Sequence, residues 1–185
     1  MEWEGDAYQE RFDRIAASGQ DVHGEATFVR AFEPASVLDA GCGTGRVAIE
    51  LARHGIEAVG VDVDHSMLET ARSRAPDISW VEADLRTFDL GRTFDVVVMA
   101  GNVPLFTPTG TQPELVAAVA HHVADGGVLV AGFSTDWSDR PYDVDSYDAA
   151  CADAGLDLAE RFSTWDRRPW HEASTYAVSV HRLAG

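Results

Sequence analysis

A short apolar run, Val37-Leu38-Asp39-Ala40, passes directly into Gly41-Cys42-Gly43-Thr44-Gly45, and this junction limits the fold more than any other stretch of the chain. Glycine has no β-carbon, so it accepts positive φ and lets a ligand approach bare backbone. The next segment, Arg46 to His54, reads as a helix whose unpaired N–H groups would point back at the same spot. Strand, glycine turn and helix in that order form the opening half of a nucleotide-binding βαβ unit. A flexible surface loop explains the glycines poorly, because an apolar strand and an amphipathic helix flank them.

Glycine spacing then sorts the ligands. A dinucleotide fingerprint requires G-x-G-x-x-G; counted from Gly41, its third glycine falls on Arg46, and the glycine comes one residue early at Gly45. A phosphate-cradling P-loop also fails, since no Gly-Lys-Ser/Thr follows. What remains is D-x-G-x-G-x-G. The stretch VLDAGCGTG resembles motif I of the class I S-adenosylmethionine-dependent methyltransferases.

The rest of the chain agrees in order. Glu25 to Phe32 reads as a helix stopped by Pro34, Glu57 to Asp62 as a second strand, and Ser66-Met67-Leu68-Glu69 as a capping box opening a helix to about Arg74. Ile78 to Glu82 and Phe94 to Met99 read as strands, the latter apolar enough to be buried on both faces. A helix from about Thr111 to Val123, an Asp125-Gly126-Gly127 turn and a strand from Val128 to Phe133 follow. This β-α alternation argues for a parallel, doubly wound α/β sheet with helices on both faces. After a helix over Val144 to Ala154, strands Leu156 to Thr164 and Thr175 to Arg182 are joined only by a loop, hence antiparallel. The resemblance implies a mostly parallel seven-stranded sheet with one antiparallel edge strand, and it covers Val37 to Arg182.

At 185 residues the chain is expected to form one domain, 1–185, with residues 1–33 as an N-terminal helical lid and 34–185 as the Rossmann-like core. The first residues lack the apolar stretch of a secretory signal, and no run approaches the ~20 residues of a membrane span. Two cysteines, Cys42 and Cys151, offer neither a disulfide framework nor zinc spacing, so a cytoplasmic setting is expected. The formal charge of −17 disfavours phosphate backbones and anionic membranes, which bind through lysine and arginine. A small-molecule substrate is therefore expected, with no nucleic acid and no membrane partner, although salt-adapted proteomes carry similar charge. The exposed sheet edge allows a monomer or a homodimer.

The resemblance implies roles residue by residue. Asp39, Gly41, Cys42 and Gly43 would hold the methionine part of S-adenosylmethionine, whose product is S-adenosylhomocysteine. Asp62 would bind the ribose, its position also fitting the ~20-residue offset of a ribose acid. Val63 and Met67 would cover the adenine, Asp84 and Leu85 would read its edge, and Ala100 would face the sulfonium. Tyr8 and Arg11 are lid candidates for the cofactor. His23 is a candidate base, and Asn102 a candidate for both catalysis and acceptor binding. Asp136, Trp137, Trp165 and Trp170 are candidates for an acceptor wall. The Asp139, Asp143, Asp145 and Asp148 run lacks the glycine and glutamate of a calcium loop, and no metal is expected. A methyl transfer to an oxygen or nitrogen of a small molecule leads; a cofactor-binding module without catalysis, or a protein or RNA methyltransferase, is the alternative.

Overall fold

The computed structural model describes residues 23–184. Its elements are α1 (Gly24–Arg30), β1 (Ser36–Ala40), α2 (Arg46–Arg53), β2 (Glu57–Asp62), α3 (His65–Arg74), β3 (Ser79–Glu82), β4 (Phe94–Met99), α4 (Val103–Phe106), α5 (Gln112–Ala120), β5 (Val123–Ser134), α6 (Val144–Asp153), β6 (Leu156–Phe162) and β7 (Tyr176–Leu183). The strands form one seven-stranded sheet in the order β3-β2-β1-β4-β5-β7-β6. Strands β1 to β5 pair in parallel, and β7 runs against both of its neighbours. The reversed strand lies one place in from the edge. The connection from β6 to β7 carries the chain back between β5 and β6, so β6 takes the outer position.

Alternation along each strand builds two cores. Leu38, Ala40, Val97, Met99, Leu129 and Ala131 meet Leu105 of α4, Leu115 of α5 and Tyr147 of α6 on one face. Val37, Val96, Val98, Val128 and Val130 meet Phe28 of α1 and Val47 and Leu51 of α2 on the other. With both faces covered, the carboxyl ends of β1, β2, β4 and β5 are left to carry the loops that can bind a ligand. The strand order reverses between β1 and β4, the switch point where open α/β sheets hold ligands.

Several local features differ from the sequence expectation for identifiable reasons. Asp64, not Ser66, caps α3, its side chain accepting from Met67 N–H at 3.1 Å. The Asp125-Gly126-Gly127 segment is a bulge inside β5 rather than a turn before it: pairing steps from Phe94↔Val123 to Val96↔Val128. Gly126 supplies the positive φ of that bulge, at +77°. Helix α5 accordingly ends at Ala120, where a two-residue turn through His121 and His122 enters the strand. His122 is fully enclosed, stacked on Phe88 at 4.3 Å with its Nε2 accepting from Leu90 N–H at 3.0 Å.

Of the segment expected as a lid, residues 1–22 lie outside the described residues, and with them Tyr8 and Arg11. Helix α1 is part of the core. Its Ala26, Phe28 and Val29 are buried, and a two-pronged ion pair from Glu25 to Arg46, at 2.6 and 2.9 Å, ties it to the start of α2.

Candidate functional site

Three glycines of the loop after β1 have positive φ: Gly41 at +81°, Gly43 at +53° and Gly45 at +78°. They are glycine for different reasons. A β-carbon on Gly41 would lie 2.5 Å from a methyl of Val103, the first residue of α4. One on Gly45 would overlap the indole of Trp80. One on Gly43 would meet nothing within 4 Å among the described residues. Packing thus accounts for Gly41 and Gly45, whereas Gly43 turns open backbone toward unfilled space at the carboxyl edge. That is the geometry a ligand needs to reach the main chain.

Two carboxylates support this loop from below and beside it. Asp39 ends β1 beneath the glycines, 1 % exposed, with Oδ2 accepting from Ala48 N–H at 3.1 Å in the first turn of α2. Burial raises its pKa from 3.8 to about 7; the Ala48 N–H and Arg46 oppose the rise, and Asp62 adds to it. Asp39 therefore anchors the loop and the helix start rather than presenting a side chain at the surface. Asp62, at the end of β2, accepts from Gly43 N–H at 2.7 Å and from Asp64 N–H at 2.9 Å. Burial raises its pKa as well, against the pull of those same N–H groups. Cys42 fills the gap beside Gly60; burial, with Asp39 and Asp62 nearby, pushes its thiol well above the ordinary range, so it is no nucleophile at neutral pH.

The neighbouring positions divide into surface and core. Val63 follows Asp62 at the carboxyl edge and is 69 % exposed, an apolar side chain left uncovered beside a carboxylate. Met67 is buried on α3 and belongs to the packing beneath it. Asp84 is gripped by its own neighbour, Arg86 Nε donating to Oδ1 and Oδ2 at 3.0 and 3.1 Å, which holds the carboxyl below the usual range. Leu85 is buried in the core against the α4 and α5 face.

On the other side of the switch point stand Ala100, buried, then Gly101 and Asn102, both with positive φ. Asn102 ties two strand ends together: its N–H donates to Gly132 O at 3.1 Å, and its Oδ1 accepts from Ser134 N–H at 2.8 Å. That bond fixes the Asn102 side chain at the edge between β4 and β5. The α4 turn starts at the next residue. Beyond it, Phe106 meets Trp137 edge-on at 5.6 Å; the two are 45 % and 37 % exposed. Asp136, also exposed, accepts from Ser134 Oγ at 2.8 Å.

The remaining candidates lie on other elements. Trp165 rests over Gly132 on the α1 side of the sheet, edge-on to Phe28 at 5.4 Å, its indole N–H donating to Tyr176 Oη at 3.2 Å. It is partly buried, packed against the core on that face. Trp170 is half-buried under the Arg161 guanidinium at 5.3 Å, on the flank formed by β6. His23 lies with Nδ1 3.7 Å from Glu50, a residue in the second half of α2. Asp143 caps α6 through Ser146 N–H at 2.8 Å, and Asp148 pairs with Arg161 and His181, so these two carboxylates have structural partners. Among the described residues no group of three or more His, Cys, Asp and Glu is arranged to hold a metal.

Two participants escaped the sequence reading. Trp80 of β3 lies across Gly60, and its indole N–H donates to Ala75 O at 2.8 Å; it backs Gly45 from beneath. Its signal was a tryptophan in register with a strand glycine, Gly60↔Trp80. Helix α4 is four residues long, too short to announce itself by periodicity, with Pro104 in its first turn as the visible mark.

A family profile described as a methyltransferase domain matches residues 37–127, spanning β1 to the bulge of β5. Among solved structures, a TehB-like S-adenosylmethionine-dependent methyltransferase from Corynebacterium glutamicum superposes with a TM-score of 0.89, at 31 % identity over 97 % of each chain. The chain belongs to the S-adenosylmethionine-dependent methyltransferase family. Curated relatives include two sugar N,N-dimethyltransferases. That of Streptomyces fradiae, acting on dTDP-3-amino-3,6-dideoxy-alpha-D-glucopyranose, is 33 % identical over 89 % of this chain and 65 % of its own length. That of Streptomyces venezuelae, acting on dTDP-3-amino-3,4,6-trideoxy-alpha-D-glucopyranose, is 35 % identical over 66 % and 52 %. This methyltransferase chain thus spans from about half to about two thirds of these two curated relatives. Among its described residues no helix is long and apolar enough to cross a membrane.

Proposed function

We propose that this chain binds S-adenosylmethionine at the carboxyl ends of β1 and β2 and directs its methyl group to a nitrogen of a small-molecule acceptor. The observation that carries the reading is Gly43: open backbone at positive φ, with the Asp62 carboxylate 2.7 Å from its N–H. In this reading the glycine loop with Cys42 holds the methionine part, and Asp62 takes the ribose hydroxyls. Val63 covers the adenine, and Asp84 with Leu85 lies along its edge. Asp39 and Met67 support the loop and helix from within. Tyr8 and Arg11 stay candidates for closing over the cofactor. Preference for nitrogen draws on the sugar N,N-dimethyltransferases among the relatives, and preference for a small acceptor over nucleic acid draws on the charge of −17. Both cysteines are buried free thiols, which fits a reducing cytoplasm. A monomer or homodimer fits the open β6 edge.

When bound, S-adenosylmethionine supplies a methyl group on a cationic sulfur that is already activated for displacement. The chain's task is then to align the acceptor and exclude water. Ala100, Gly101 and Asn102 leave low relief at the end of β4, and the Asn102 bridge to Ser134 holds that edge against β5. His23, beside Glu50 along α2, stays a candidate base.

Calorimetric titration with S-adenosylmethionine, S-adenosylhomocysteine and NAD tests the cofactor. Micromolar binding of the two sulfur compounds and none of NAD is expected; no binding of either sulfur compound refutes the assignment. Transfer of labelled methyl to a panel of amines then separates an enzyme from a module that only binds.

A further inference from the structure

We propose that Arg140 recognises an anionic group, carboxylate or phosphate, on the acceptor, so that this methyltransferase site selects acidic small molecules. The inference rests on reading the same sheet edge as the site of methyl transfer. Arg140 lies in the loop after β5. It donates from Nη1 to Leu105 O at 2.7 Å, and its guanidinium sits 5.2 Å from the Phe106 ring centroid. These contacts hold the cation beside the exposed Phe106 and Trp137 rings. The same helix touches the glycine loop, since Val103 occupies the space a β-carbon on Gly41 would need. Phe106 is three residues further on, about 4.5 Å of helix rise. Helix α4 thus runs from the glycine loop at Val103 to the Arg140 contact at Phe106.

The charge balance makes the placement informative. The chain has 31 acidic and 14 basic residues, yet among the described residues Arg140 makes no ion pair. Its own loop carries Asp136, Asp139 and Asp143. Asp136 accepts instead from Ser134 Oγ, Asp143 caps α6, and Asp139 is exposed. Among the described residues one of the five N–H donors of the guanidinium is spent, on Leu105, which leaves a planar fork suited to a carboxylate or phosphate. The flanking rings suit the apolar body that would carry such a group. The three carboxylates repel anions in general, so recognition depends on Arg140 itself.

The test titrates the full chain, loaded with S-adenosylhomocysteine, with phenyl phosphate, benzoate and neutral benzyl alcohol. The anions should bind roughly tenfold or more tighter than the alcohol. R140M keeps an apolar stem beside Phe106 and should abolish that preference; R140K should keep part of it. S-adenosylhomocysteine affinity should be unchanged in both variants, and R140M should unfold somewhat earlier through loss of the Leu105 hydrogen bond. Phenyl phosphate ahead of benzoate assigns a phosphate acceptor, and the reverse order a carboxylate. Equal binding of anions and alcohol by the unsubstituted chain overturns the proposal, as does an undiminished preference in R140M. Should S-adenosylhomocysteine itself fail to bind, the methyl-transfer reading falls, and the same titrations without it still decide whether Arg140 selects anions.

Discussion

Replacing Asp39 with Asn isolates what a buried charge does to this fold. The carboxyl is 1 % exposed and titrates at about 7, against 3.8 for an ordinary aspartate. Burial disfavours the ionised form more than the Ala48 N–H and Arg46 favour it. Below pH 3.8 both folded and unfolded chains hold the proton, and the residue imposes no penalty. Between 3.8 and 7 the unfolded chain gives up its proton first, so stability falls as pH rises; above 7 the penalty is complete, on the order of 4 kcal/mol. Asn keeps an oxygen for the Ala48 N–H and never ionises. Its buried NH2 adds a cost, but one independent of pH. The readout is therefore the slope of the difference between the two proteins. From pH 5 to pH 8 the Asn variant should gain roughly 2–3 kcal/mol on the parent, about 5–10 °C in Tm for a chain of this size. Urea unfolding followed by tryptophan fluorescence at four pH values measures it. A difference that stays flat with pH, or one that turns toward the parent above pH 6, would falsify the burial argument and show that the ionised carboxylate serves the start of α2 as a favourable helix-dipole partner.

Asp62→Ala should weaken S-adenosylhomocysteine binding by ~1–3 kcal/mol through loss of charge-assisted hydrogen bonds; unchanged affinity in a calorimeter removes Asp62 from the site. Gly43→Ala and Gly45→Ala both place a β-carbon at positive φ, so that strain cancels between them. Gly45→Ala should be less stable by a further ~1–3 kcal/mol because it collides with Trp80, whereas Gly43→Ala should fold and lose ligand; equal unfolding midpoints would contradict the Trp80 contact. Asn102→Gly keeps the left-handed backbone but leaves Ser134 N–H without its acceptor, a cost of ~1–3 kcal/mol, and a variant as stable as the parent would mean that the bridge between β4 and β5 is idle.

The cofactor half of the molecule was legible because backbone and spacing make it. Gly43 and Asp62 stand 19 positions apart in the chain, and their hydrogen bond is the three-dimensional form of that offset. The β-α phasing of Glu57 to Asp62 and Phe94 to Met99 was read to the residue, since an apolar run closed by an acid or a small residue has few other uses. Even here the reasons differed in detail: two of the three glycines answer to Val103 and Trp80, side chains that no local pattern connects to them. The acceptor half resisted for the same cause, carried further. Trp165 sits in a polar stretch that suggested a wall for a substrate, and no local pattern shows that Gly132 gives its indole a partly buried seat against the sheet. Phe106, Trp137 and Arg140 carry no motif of their own, and they meet only because the bulged β5 runs beside β4 and ends next to α4. Displacement at an activated methyl asks the protein for alignment rather than for a fixed catalytic side chain. Residues that align an acceptor are set by the acceptor's shape and charge, so they become readable only once the fold has brought the ends of β4 and β5 together. On the proposed reading, the charge environment of Arg140, rather than any sequence pattern, is therefore the better guide to what the acceptor carries.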